Sequence, residues 1–252
     1  MKTLRFLFPL FLLTLSLLVV NSFAQKKDKK WTEWTKKEAQ KVLDESAWGQ
    51  TQTDTDASQM FYSPTSDPRK GKPPSKTDEA MPGVGTLGQG ATNQSVNVKY
   101  HVRFFSARPI RQALARMILI DQNPSPDMAA KLQSFAELKT DTSIIITVAF
   151  ESNDQRYGNK VMQAFNSAIT ATLKNNAYLQ RSDGKQLFLE EYVPPGKDGF
   201  GARFIFLRNP GEKPFLEANS SEIRFFAQFS ENIKIDRRFK LADMMYQGEL
   251  EY

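Results

Sequence analysis

The chain has 252 residues, carries a formal net charge of +6 and contains no cysteine. That composition suits one domain with appendages and excludes disulfide stapling, thiol catalysis and thiolate metal sites. Lys2 and Arg5, with seven lysines in residues 25–41 set against Asp28, Glu33 and Glu38, hold the whole excess, so residues 42–252 balance. A body without charge bias does not favour nucleic acid as a partner.

Residues 1–24 read as a secretory signal peptide. Lys2 and Arg5 form its basic start, Phe6 to Val20 its apolar run, and Ser22-Phe23-Ala24 puts small residues at the two positions a signal peptidase reads. The apolar run is short for a spanning helix, and no second run is long enough to cross a bilayer. No cysteine follows, which argues against a lipid anchor on a processed N-terminal Cys. The expectation is a periplasmic or secreted protein cleaved after Ala24 that is not an integral membrane protein.

Residues 25–53 form a Lys/Trp-rich segment with one short helix. Thr35-x-x-Glu38 has the form of a capping box, with Trp34 at the staple position. Ala39, Val42, Leu43 and Ser46 make a narrow stripe at helical spacing. All three tryptophans, Trp31, Trp34 and Trp48, flank this helix. A helix this short is marginal alone, so its aromatic rings need a surface. Docking on the protein's own body, capture of another protein and interfacial membrane contact all supply one, and Trp31, Trp34, Trp48 and Leu43 are the candidate partner-binding residues.

Residues 54–94 are rich in Pro, Gly, Ser, Thr, Asp and Lys and read as a flexible linker, with Met60, Phe61 and Tyr62 its one compact apolar cluster. Gly83-x-Gly85-x-x-Gly88 has the form of a dinucleotide fingerprint. Pro82 precedes it and no helix pattern follows, so it reads as linker and implies no cofactor.

Residues 95–252 read as an α+β domain: a mixed, mainly antiparallel sheet with about three helices packed on one face. Val96 to Phe104 alternates as a half-buried strand, Pro109 and Pro126 start two helices, and Ile144 to Phe150 forms a central strand. A helix over 158–173 follows. Strands over 177–181, 186–193, 202–207, 222–229 and 233–241 come next, with Asp183-Gly184 turning the first pair, and 244–252 closes as a last strand, with a short helix around Leu241 to Met245 as the alternative there.

Within this body no catalytic or metal-binding set stands out. His101, the sole histidine, lies on the polar face of its strand and reads as solvated. Ser152-x-Asp154 reads as an Asx turn or helix N-cap. Glu190 and Glu191 fall on opposite faces of one strand and cannot act as an acid/base pair. Arg108, Arg111 and Arg116 read as an exposed helix face, and Arg224, Arg237, Arg238 and Lys240 as a charged strand edge.

The string Trp31-x-x-Trp34-Thr35-x-x-Glu38-Ala39-x-x-x-Leu43-x-x-Ser46-x-Trp48, then Gln50-Thr51, resembles a group of uncharacterised exported bacterial proteins. Gly90 to Asn97 and Arg238 to Tyr246 are similar to the same group. The resemblance implies export and brings no activity with it. The leading expectation is an exported, non-catalytic module that binds a protein or cell-envelope component. The alternative is a periplasmic hydrolase or small-ligand-binding domain with a polar site assembled from separate strands.

Overall fold

The computed structural model describes residues 29–56, 96–217 and 220–252. The expected signal peptide, nearly all of the expected linker with its Met60 to Tyr62 cluster, and the Gly83-x-Gly85-x-x-Gly88 string lie outside the described residues.

The chain is α+β, with short helices and antiparallel sheets. A 3-10 turn at Trp31–Glu33 leads into α1 (Lys36–Asp44). The capping box is present: the Thr35 side chain accepts from the Glu38 N–H at 3.2 Å, and the Thr35 N–H donates to Glu38 Oε2 at 2.6 Å. Ser46 closes the turn after the helix, donating to Val42 O and accepting from the N–H groups of Trp48 and Gly49. Gly49 is required there, because a Cβ would stand 2.2 Å from the Leu43 carbonyl oxygen.

From that turn runs β1 (Gly49–Asp56), which pairs antiparallel with β2 (Val96–Phe104) along its whole length. The strand carries the Lys/Trp-rich segment into the body's own sheet and runs past Thr53 to Asp56. α2 (Arg108–Gln122) and α3 (Pro126–Glu137) follow, each with proline in its first turn. β3 (Ser143–Ser152) pairs with β2 on one side and with β7 (Ala202–Leu207) on the other. Asp154 then caps α4 (Gln155–Ser167), its side chain accepting from the N–H groups of Arg156 and Tyr157, as Ser152-x-Asp154 suggested.

The helix expected to continue to residue 173 breaks at Ala168 and Ile169, which are extended, before the short α5 (Thr170–Leu173). The break lets Thr170 accept the Tyr192 N–H, while the Tyr192 hydroxyl donates to Phe165 O at 2.7 Å.

Two sheets share one core. The first has the order β1-β2-β3-β7-β6 and the second β5-β4-β8-β9, where β4 is Ala177–Arg181, β5 Gln186–Phe188, β6 Glu191–Val193, β8 Glu222–Gln228 and β9 Lys234–Lys240. The segment read as one strand over 186–193 is therefore split. The Leu189 N–H donates to Ala177 O in the second sheet, and the next N–H, of Glu190, donates to Ile205 O in the first. The chain changes sheets between these two residues, and Glu190 and Glu191 both end exposed.

Phe104 meets Phe239 at 4.9 Å and Phe204 meets Phe225 at 5.1 Å across the interface between the sheets. Val161 and Phe165 of α4 join the same core. At one corner Gln50 and Gln52 of β1 reach the backbone of β9: Gln50 donates to Arg238 O, and Gln52 donates to Lys234 O and accepts from the Asp236 N–H. These bonds occupy edge groups of β9 that would otherwise face solvent.

The chain ends in a hairpin of β10 (Met245–Tyr246) and β11 (Glu249–Leu250), turned by Gln247 and Gly248 at positive φ. No helix among the described residues is long and apolar enough to cross a membrane.

Candidate functional site

The sequence stripe on α1 becomes buried packing. Ala39 and Leu43 pack with Ile110 and Ala113 of α2, and Leu43 is 3% exposed. Trp31 packs with Ala115 and Ala136. Burial of this kind makes truncation at Leu43 cost about 2–5 kcal/mol. The N-terminal segment is thus docked on the body, the first of the three surfaces considered for it. Leu43 lies in that core and does not line the groove described next.

Docking creates a groove of about 610 Å³ with the three tryptophans in its walls. The lead-in brings Trp31 and Trp34, the α1–β1 turn brings Trp48, and the terminal hairpin brings Met245, Tyr246 and Gln247. Gln112 from α2 and Glu137 at the end of α3 complete it, with Lys29 and Lys30 also in the lining.

A hydrogen-bonded line ties these walls together. The Tyr246 hydroxyl donates to Gln112 Oε1 at 2.8 Å, Gln112 Nε2 donates to Glu137 Oε1 at 3.1 Å, and Trp31 Nε1 donates to the same oxygen at 2.9 Å. Trp34 Nε1 donates to Lys29 O and Trp48 Nε1 to Glu251 O. Every indole N–H of the three is therefore spent within the protein, which fixes the rings; Trp31 is buried, and the half-buried Trp34 and Trp48 leave carbon surface to the groove. Glu137 takes both of its bonds on Oε1, so Oε2 has no hydrogen-bond partner among the described residues.

The back of the groove is braced by charge. Tyr246 meets Trp48 edge-on at 6.2 Å, and the Arg108 guanidinium lies 5.4 Å from the Tyr246 ring centre. Arg108 is buried and pairs with Glu251, correcting the reading of an exposed arginine face. Arg111 is also buried, at 1% exposure, and donates to the carbonyls of Phe105, Ser106 and Leu138. Burial pushes its basicity down, yet the guanidinium gathers the carbonyls that follow β2 and α3, which no neutral side chain could bridge at once. Arg116 donates from Nε to the Trp34 carbonyl at 2.6 Å, anchoring the groove's lead-in.

His101 does not stand free in solvent. Its side chain is 15% exposed, and Nδ1 lies 3.0 Å from Asp44 Oδ1 and 3.2 Å from Thr51 Oγ1. Arg103 donates to the same Asp44 oxygen and to Leu43 O. Burial raises the Asp44 carboxyl, but the bonds from His101, Arg103 and Gln40 outweigh it and hold it well below the usual carboxylate range. Both hydrogen-bond partners meet Nδ1, and Nε2 faces the exposed Glu151 carboxylate at 3.9 Å, whereas a nucleophile relay needs a hydroxyl or thiol there. The cluster works as a clamp joining the end of α1 to β1 and β2.

The charged edge read at Arg224, Arg237, Arg238 and Lys240 divides. Arg224 sits on the interior strand β8 and pairs with Asp236 of β9, while the other three lie on the edge strand β9.

Among the described residues, no group of three or more His, Cys, Asp or Glu is placed to hold a metal ion. Sequence reading singled out the tryptophans by their clustering but missed Gln112, Glu137 and Tyr246. Gln112 gave no distinct signal, since it follows Arg111 on a helix whose arginines read as an exposed face. Comparison of the chain with family models, curated proteins and solved structures finds no match.

Proposed function

We propose that the chain is an exported, non-catalytic binding module whose tryptophan groove holds a protein or cell-envelope component. The observation that carries this reading is the convergence of Trp31, Trp34 and Trp48 with Tyr246 on one groove, although the hairpin that closes it lies at the other end of the chain. Ligand sites are commonly pre-formed concavities with aromatic walls and a few fixed polar groups, and this groove has both. Export is supported by the signal-peptide pattern of residues 1–24 and by the resemblance of the Trp31 to Trp48 string to exported bacterial proteins.

The test uses the mature chain beginning at Gln25 and a Trp34→Phe, Trp48→Phe double variant, both checked for equal melting. Sedimentation with isolated envelope fractions should deplete the wild-type protein from the supernatant and leave most of the variant behind. Equal depletion of the two would remove the groove from the reading. Cell fractionation that finds the chain in the cytoplasm with residues 1–24 intact would remove export.

A further inference from the structure

We infer that the groove takes an uncharged oligosaccharide, with a pyranose ring lying on the indole surfaces and its hydroxyls donating to Glu137 Oε2. This inference rests on the binding reading above and names the ligand class. Four features of the groove select it.

The first is the division of labour in its walls. The indole N–H groups of Trp31, Trp34 and Trp48 are all committed internally; Trp31 is buried in its own packing, so Trp34 and Trp48 are the half-buried rings that present carbon surface. A pyranose offers a matching apolar face of C–H groups, with hydroxyls around its rim. The second is Glu137. Its Oε1 accepts from Trp31 and Gln112, which locks the carboxylate in place, while Oε2 keeps its lone pairs for a donor. A fixed acceptor beside an aromatic wall suits a ligand that is apolar on one side and rich in O–H donors on the other.

The third feature is charge. Aromatic rings beside a carboxylate would also suit a quaternary ammonium ion. Lys30 lines the same groove and opposes a cation, while Lys29, also in the lining, is paired with Glu38. Glu137 in turn opposes a polyanion, and a neutral polyhydroxylated ligand meets neither penalty. The fourth is backbone demand. A peptide brings an N–H and a C=O with every residue, and burying them unpaired is costly. The amide oxygen of Gln112 and the indole donors are already used, which leaves Thr32 and Gln247 as the other neutral polar side chains of the lining, too few to pair the N–H and C=O of every residue of an extended chain. A saccharide can leave its remaining hydroxyls in water at the groove mouth.

The experiment is calorimetric and fluorescence titration of the mature chain with tetra-N-acetylchitotetraose and cellotetraose. Tetramethylammonium chloride and an uncharged hexapeptide of alanine and tyrosine serve as competing probes. At least one tetrasaccharide should bind and change the tryptophan emission. Glu137→Gln should weaken that binding about tenfold or more at unchanged melting temperature, since the amide still accepts from Trp31 but presents a donor where Oε2 was. Trp34→Phe should weaken it independently.

No binding of either tetrasaccharide at about 10 mM, a level that admits even millimolar affinity, overturns the inference. Saccharide binding that neither substitution alters also overturns it. Binding of the ammonium salt or the peptide alone, lost in the groove variants, overturns the saccharide while upholding the groove as a binding site. Silence of every probe, with envelope sedimentation unaffected by the double variant, ends both readings.

Discussion

Asp44 ends α1 with a negative charge where the helix dipole is least welcoming. It is kept there by His101 and Arg103, which reach it from the neighbouring strand. A carboxyl whose folded value is depressed contributes stability above its unfolded value, near 3.8, and loses that contribution as pH falls through the folded value. Wild-type melting temperature should therefore decline as the buffer is taken from about pH 5 to pH 3. Asp44→Asn should cost about 1–3 kcal/mol at neutral pH and flatten part of that acid limb. Thermal melts across the range check it, and an unaltered limb in the variant would show that the clamp contributes nothing. This clamp was invisible along the chain, where His101 is simply one member of an alternating strand. What makes it a bonded residue is the return of α1 over that strand, a contact between positions far apart in sequence. Arg111 misleads for the same reason: its helix position looks polar, but the neighbouring chain closes carbonyls around it.

Elements with their own local signals were legible. The capping box, the two proline-started helices, the Asp183-Gly184 turn and the alternation of β2 all rest on neighbours within a few residues, and each is present. β1 had no such signal. Its sequence, Gly49 to Asp56, is polar throughout, because it is an edge strand whose glutamines bond to another sheet's edge. The crossing between sheets at Leu189 and Glu190 likewise leaves the apolar pattern unbroken. These two departures share a cause: strand partnership is decided by distant chain. The close approach of Gly49 to Leu43 gives an element-level test. Gly49→Ala should push β1 away from α1 and lower the melting temperature by several degrees, as expected for a cost of about 1–3 kcal/mol. Hydrogen exchange should quicken in residues 36–56 and remain slow in β8. Unchanged exchange in 36–56 would show that the turn tolerates the methyl group.

On the scale of the molecule, the lead-in, α1 and β1 form a single flank of the body, and the terminal hairpin meets that flank at the groove. Both chain regions are needed to build the candidate site. Its tryptophans could be singled out from sequence because they cluster within residues 31–48, whereas Gln112, Glu137 and Tyr246 join them only through folding. Substitution is therefore the appropriate probe, since deleting residues 25–53 would also remove Leu43, Ala39 and most of β1 from the packed structure. The most direct measurement places a photo-crosslinking side chain at Met245, which is exposed beside the groove, and a control at Phe188, exposed on the second sheet. After irradiation in living cells, adducts should form from position 245 and largely disappear in the Trp34→Phe, Trp48→Phe background, while position 188 shows no such dependence. Adducts of equal yield at both positions, indifferent to the tryptophans, would contradict a binding role for the groove.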